Sequence, residues 1–282
     1  MTRVPLHRHN VSLDYFHFEL EAQYTFSDAW DVIGRIPADV KRQEVSLDQV
    51  ETATDAEREA MVRNMNLHHR AQAYSDLSDL MLLVATRRHG RFREGDALRA
   101  GLGVSLPTGR TEPNPYRLGA AGIEHLHIQF GNGTFDPLAE VNYWMPLGRS
   151  VSVAAFSLAR LPVYQNQNTY RGPREISSGL SLGYRPSGRL LLHWNFTHYY
   201  QGYARWDGAR DENSGLQAWS GMVGATLRLS ESAALGADLR YPFWQRTLFA
   251  DSDVFEQGPT LMLRVSQAYP RGGQVRTVEG GH

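Results

Sequence analysis

The chain has 282 residues, a formal charge of -1 and no cysteine, which leaves room for one large domain or two small ones. The near-neutral balance and the lack of a long basic run give no case for a nucleic-acid partner, and without cysteine there is neither a disulfide framework nor a thiolate metal site. A mean hydropathy of -0.43 and the absence of a long apolar run exclude an ordinary transmembrane helix, but not a transmembrane barrel, whose strands alternate and average to polar.

Residues 1–10 contain no apolar stretch of the kind that directs secretion. They read as an N-terminal segment at a point of truncation or processing. Val11 to Phe26 then reads as a strand. Phe16, Phe18, Leu20, Ala22, Tyr24 and Phe26 share one face, and His17, Glu19, Glu21, Gln23 and Thr25 share the other. After a tight turn at Ser27-Asp28, Trp30 to about Val45 reads as a strand interrupted at Pro37. Ser46 to Leu67 is rich in Asp, Glu and Ala, with Val62 and Met65 at helical spacing, which predicts a short helix within a long loop. Arg70 to Thr86 returns as one strand without a clear parity, and a charged turn runs from Arg87 to Gly95.

The clearest unit is Ala97 to Met145. Leu98, Ala100, Leu102, Val104 and Leu106 alternate with Arg99, Gly101, Gly103 and Ser105, and the strand stops at Pro107-Thr108-Gly109-Arg110. A polar loop leads to Gly131-Asn132-Gly133-Thr134-Phe135-Asp136-Pro137. A second strand follows, in which Ala139, Val141, Tyr143 and Met145 oppose Glu140, Asn142 and Trp144. The same rhythm continues through Val151–Leu161, Ile176–Tyr184, Leu190–Phe196, Trp219–Leu229, Ala233–Phe243 and Leu261–Tyr269, with tight turns at Gly148-Arg149-Ser150, Pro186-Ser187-Gly188 and Ser230-Glu231-Ser232. Residues 270–282 read as a polar tail, so residues 11–269 carry the domain.

Leu106-Pro107-Thr108-Gly109-Arg110, followed by Gln129-Phe130-Gly131-Asn132-Gly133-Thr134-Phe135-Asp136-Pro137, resembles a pattern of the MetA-pathway or phenol-degradation family of outer-membrane β-barrels. The resemblance implies uptake of small, often hydrophobic or aromatic compounds across a bacterial outer membrane.

Three features of the residues agree with an all-β, antiparallel up-and-down transmembrane barrel. Short turns alternate with long loops. Many strands run well past the length common in soluble proteins. Aromatic residues sit at strand ends, as in interfacial girdles: Tyr24, Phe26, Tyr143, Trp144, Tyr184, Tyr199, Tyr200, Tyr241, Phe243 and Trp244. The chain ends its last strand on Tyr269, in the manner of a signal read by the barrel-assembly machinery. Roughly eleven strands are visible, where bacterial single-chain barrels hold an even number. About twelve are therefore expected: either a first strand is missing from this chain, or one was merged near Pro37. The lipid bilayer, a small solute and the assembly machinery are the expected partners.

On this reading the polar faces line a lumen. The candidate lining residues are His17, Glu19, Glu21, Arg99, Glu140, Asn142, His193, Asn195, Arg228, Asp238, Arg240 and Arg264. Both signs are present, so the charges can pair across strands. The glycines and prolines of the loop from Pro107 to Phe135 suit a segment that folds inward and narrows the pore, with His125, His127 and Gln129 near the mouth. No metal site or cofactor is expected. His125 and His127 are the only weak metal candidates, because positions i and i+2 of an extended segment share a face, and His68-His69 lie beside the other long segment. Gly103 to Thr111 departs from a phosphate loop in spacing and lacks its lysine. No Ser–His spacing and no G-x-S-x-G marks a catalytic site, so an enzyme is not expected. The expected function is passive passage of a solute. The alternatives are a barrel with a closed lumen that presents its loops, a barrel-embedded hydrolase, and a soluble sandwich or lipocalin-like binder.

Overall fold

A computed structural model describes residues 3–249 and 256–269. The expected tail, 270–282, lies outside the described residues. The elements are β1 (His7–Ser27), β2 (Trp30–Gln49), α1 (Asp55–His68), β3 (Gln72–Leu77), β4 (Leu80–His89), β5 (Ala97–Leu106), α2 (Pro115–Ala120), β6 (Asp136–Pro146) and β7 (Val151–Arg160). They continue with β8 (Tyr170–Arg171), β9 (Glu175–Tyr184), β10 (Leu190–Gln201), β11 (Arg205–Trp206), β12 (Ala209–Arg210), β13 (Leu216–Arg228), β14 (Ala233–Thr247) and β15 (Thr260–Gln267). β1 thus begins inside the segment 1–10.

One antiparallel sheet runs in the order β1-β2-β4-β5-β6-β7-β9-β10-β13-β14-β15, with β3 beside β2. β8, β11 and β12 form a small second sheet in the loops, around a cluster of Tyr170, Ala204 and Trp206. Each main strand pairs with the next main strand in sequence, so the fold is an up-and-down β-barrel. β1 and β15 line the same central cavity, and no ladder joins them among the described residues. Alternate strands reverse direction, so these first and last strands run parallel to each other.

The alternation sets the two faces. In β1, Phe16, Phe18, Leu20 and Tyr24 are all more than half exposed on the outside, while Tyr15 and His17 turn inward to Asp39. Leu102, Leu180, Val223, Leu239, Leu261 and Leu263 continue the apolar exterior around the sheet. A soluble protein would bury such a surface. A bilayer solvates it, and this is the fold of a transmembrane barrel. Above Phe16 the same outer row of β1 becomes Asp14, Ser12, Asn10 and Arg8. About 9–11 tilted residues cross a bilayer, so the 21-residue β1 and its partner β2 project well beyond it.

Two expectations change here. β2 is continuous through Pro37, with Glu19 opposite it in β1. On its other side β2 pairs with β4 as far as Arg35–Met81 and with β3 from Ala38–Leu77. Pro37, which has no N–H to give, stands where one partner ends and the next begins. For the same reason the single strand expected over Arg70–Thr86 is two strands, broken at Ser78-Asp79. The break flips the parity: Tyr74 faces inward from β3, whereas Leu83 and Ala85 do so from β4. The expected helix forms as α1. Thr54 caps it, with its hydroxyl accepting from the Glu57 N–H and the Glu57 carboxylate accepting in return from the Thr54 N–H. Its buried residues are Ala60 and Met61, while Val62 is exposed.

All tight turns fall at one end of the barrel and the long loops at the other. In the turn before β5, the Asp96 carboxylate accepts from the backbone N–H groups of Arg91, Phe92 and Arg93. Two of the expected girdle aromatics do not face outward. Tyr199 donates to Glu175 on the inner side, and Trp144 falls on the same row as Glu140 and Asn142.

Candidate functional site

A cavity of about 5400 Å³ runs along the inner face and reaches the gap between β1 and β15, whose outward-facing residues also line it. That is several times a drug-sized pocket of about 300–1,000 Å³, so the interior is not a packed core. Its wall is built from cross-strand ion pairs. Arg35 joins Glu21 at 2.7 Å and Glu140 at 2.9 Å. Glu140 also accepts from Arg99 and from Asn142, the latter at 2.7 Å. Small inward residues, Ala85 and Gly101, lie on the two strands that Arg35 reaches across. On the opposite wall, Asp238 binds His193 and Arg264, Asn195 accepts from Ser181, and Arg240 donates to Thr260 at 3.1 Å. His17 lies 2.7 Å from Asp39 and 3.9 Å from Glu19. Arg228 lines the cavity at the turn end.

Seven of the expected lining residues fall in two networks, His17 and Glu19 meet near Asp39, and Asn195, Arg228 and Arg240 join none of these. Glu21, Arg99, Glu140 and Asn142 meet in one network, and His193, Asp238 and Arg264 meet in another. The alternation missed Arg35, which completes the first network, and Asp39, which pairs with His17. Both lie on the inner row of β2, and their spacing of four would have shown it had the strand not been divided at Pro37.

The segment between β5 and β6 is held in the loop end of the barrel by a buried knot. The carboxylate of Asp79, at the break between β3 and β4, accepts from the backbone N–H groups of Gly109 at 3.0 Å and Asn132 at 2.7 Å. Arg160 of β7 donates to Asp79 at 2.7 Å and to Asp136 at 2.9 Å. Asp136 also accepts from Asn132 Nδ2 and Thr134 Oγ1. Gly131 is obligatory: a Cβ there would lie 2.2 Å from Asp79 Oδ1 and 2.8 Å from the Cα of Gly109. The two halves of the sequence motif thus meet backbone to backbone around one carboxylate.

Past the knot, residues 127–132 line the cavity. Lys41 donates to the Gln129 carbonyl at 2.8 Å and stands over the ring of Phe130 at 4.5 Å, with Arg110 also near that ring at 5.1 Å. Outside, α2 ties the segment to the loop after β10. Asn114 caps α2 and donates to Asp207, to which Arg117 is also paired, and Tyr116 donates to Asp211.

The histidines gather at the same end. His68 closes α1, and His125 and His127 lie on the extended stretch after α2, whose His125 N–H donates to the Leu67 carbonyl at 3.2 Å. The candidate ligand atoms of His68, His125 and His127 lie within 4.8 Å of one another. His69 stacks on His127 at 5.5 Å, and His9 meets His69 at 5.3 Å. Loss of solvent and then the nearby His125 lower the pKa of His68. Loss of solvent, followed by His69, His125 and His68, pushes His127 down to about 4. His125 and His127, paired by their i, i+2 spacing, lie together, and the third histidine beside them comes from a segment more than fifty residues away.

No family model and no curated protein matches the chain by sequence. The fold is similar to that of the COG4313 outer membrane channel from Pseudomonas putida F1, with a TM-score of 0.56 and 15% identity, over 90% of this chain and 82% of that one.

Proposed function

We propose that the chain is a bacterial outer-membrane channel that passes a small hydrophobic or aromatic solute by passive diffusion, without a catalytic step. The observation that carries this reading is the cavity of about 5400 Å³ inside a sheet whose outer surface is apolar. The fold shared with a known outer membrane channel and the resemblance of the motif to the MetA-pathway family support it. The paired charges set a polar wall, while Phe130, Ile128 and Met81 give that wall apolar contacts for a solute. On this reading the loop end faces the cell exterior, and the inward segment 127–132 forms the constriction.

Planar-bilayer recording tests both parts. The intact chain conducts, and deletion of Thr111 to Gly122 raises its conductance by freeing the inward segment from its α2 anchor. Changes in surface loops cost little folding energy, so the deletion variant retains its barrel. Absence of flux for every ion and solute tried would sink the channel reading. Unchanged conductance in the deletion variant would remove the loop from it.

A further inference from the structure

We infer that His68, His125 and His127 form a binding site for a divalent transition ion of the zinc, copper or nickel type at the loop end of the barrel. The argument is geometric. His125 Nδ1 lies 2.9 Å from the Ile123 carbonyl. An N–H donated there is the outer-shell hydrogen bond that orients a ligating histidine. It leaves Nε2 to accept from His68 Nδ1–H at 3.0 Å, and an ion bound between the two nitrogens would displace that proton. A tetrahedral ion with bonds of about 2.0–2.1 Å separates its ligand atoms by about 3.3 Å, so the His68–His125 pair is already at bridging distance. His127 closes the third position, with its ring centroid 5.1 Å from that of His125. His69 stacks on His127 beside these three.

The surroundings favour a cation of this class. Imidazole suits zinc, copper and nickel, whereas magnesium and calcium take oxygen ligands. The rings stand at the C-terminal end of the 14-residue α1, where the helix dipole attracts positive charge. Gly119 of α2 leaves room for the rings: a Cβ there would lie 3.1 Å from His125 Cε1 and 3.4 Å from His68 Cε1. An ion held here joins α1, in the loop after β2, to the inward segment between β5 and β6. It would therefore brace the constriction as well as bind.

The test uses the untagged full chain in detergent micelles, titrated with Zn²⁺ by calorimetry and with Cu²⁺ by electron paramagnetic resonance. One ion binds per chain, and the copper spectrum shows coupling to several imidazole nitrogens. His68→Ala and His125→Ala each weaken binding at least ~10-fold. His68→Gln and His125→Gln, which keep a polar side chain, weaken it as much. His198→Ala, on the outer face of β10, leaves it unchanged. Heat-modifiable gel migration verifies that each variant is folded. No binding by the intact chain, full binding by either alanine variant, or retention in the glutamine variants would overturn the site.

Discussion

Arg160 shows how much a single side chain can hold in this barrel. It pairs with two carboxylates, Asp79 and Asp136, whose side chains are fully buried. Removing one member of a buried ion pair leaves an uncompensated charge and costs about 3–5 kcal/mol. Arg160→Met should therefore loosen the docked segment by that order, read as faster limited proteolysis between residues 107 and 135. Adding Asp79→Asn and Asp136→Asn to Arg160→Met should recover much of the loss, because neither buried aspartate is then left bare, while Glu175, opposite Arg160, keeps its donors Tyr199 and Gln201. The two faces of a strand give a second measurement. Leu180 lies near the middle of β9, pointing outward and 63% exposed. Leu180→Lys should destabilise the barrel by about 2–4 kcal/mol, the cost of a basic residue facing lipid at mid-depth. Ser177→Lys, on the inner row beside Glu19 and Glu21, should cost less than about 1 kcal/mol, with both losses read from urea titration. Equal losses would contradict the assignment of inside and outside.

At the scale of elements, the strands were legible in the sequence wherever one rule applied along their whole length. β5, β6, β9, β10 and β13 keep a strict period of two, because one row meets an apolar exterior and the other a polar interior. The rule failed at Pro37 and at Ser78-Asp79, where β2 changes partner and the intervening residues belong to no ladder. Asp79 sits in that gap, which is why its role could not be read. An aspartate after a serine looks like any turn, and its partners lie 30, 53 and 81 residues further along. The motif around Gly131 was visible as a motif, but not as one side of a knot. The histidines divide the same way: His125 and His127 are paired by local spacing, while His68 joins them only because α1 ends beside that loop.

For the molecule as a whole, the outer surface decides the solvent. Large apolar side chains from Phe16 to Val265 face outward around the sheet, so the purified chain should stay dispersed only in detergent or lipid. The tight turns and the long loops should also report opposite sides of a membrane. On intact cells a membrane-impermeant thiol reagent should label Val163→Cys, which is exposed in the loop after β7, and miss Ser187→Cys in the turn between β9 and β10. The reverse pattern would invert the proposed orientation.

The same meander also bears on the order of assembly. Each ladder of the main sheet joins strands that follow one another in the chain, and low sequence separation favours fast, stepwise zippering. The knot is different, since its Asp79–Arg160 contact cannot form until the strands from β4 to β7 are in place. Interactions made after the rate-limiting step alter unfolding rather than folding. Arg160→Met should then leave the rate of insertion into vesicles unchanged while the loop end opens sooner, so that this barrel is built by its hairpins and latched afterwards by its arginine.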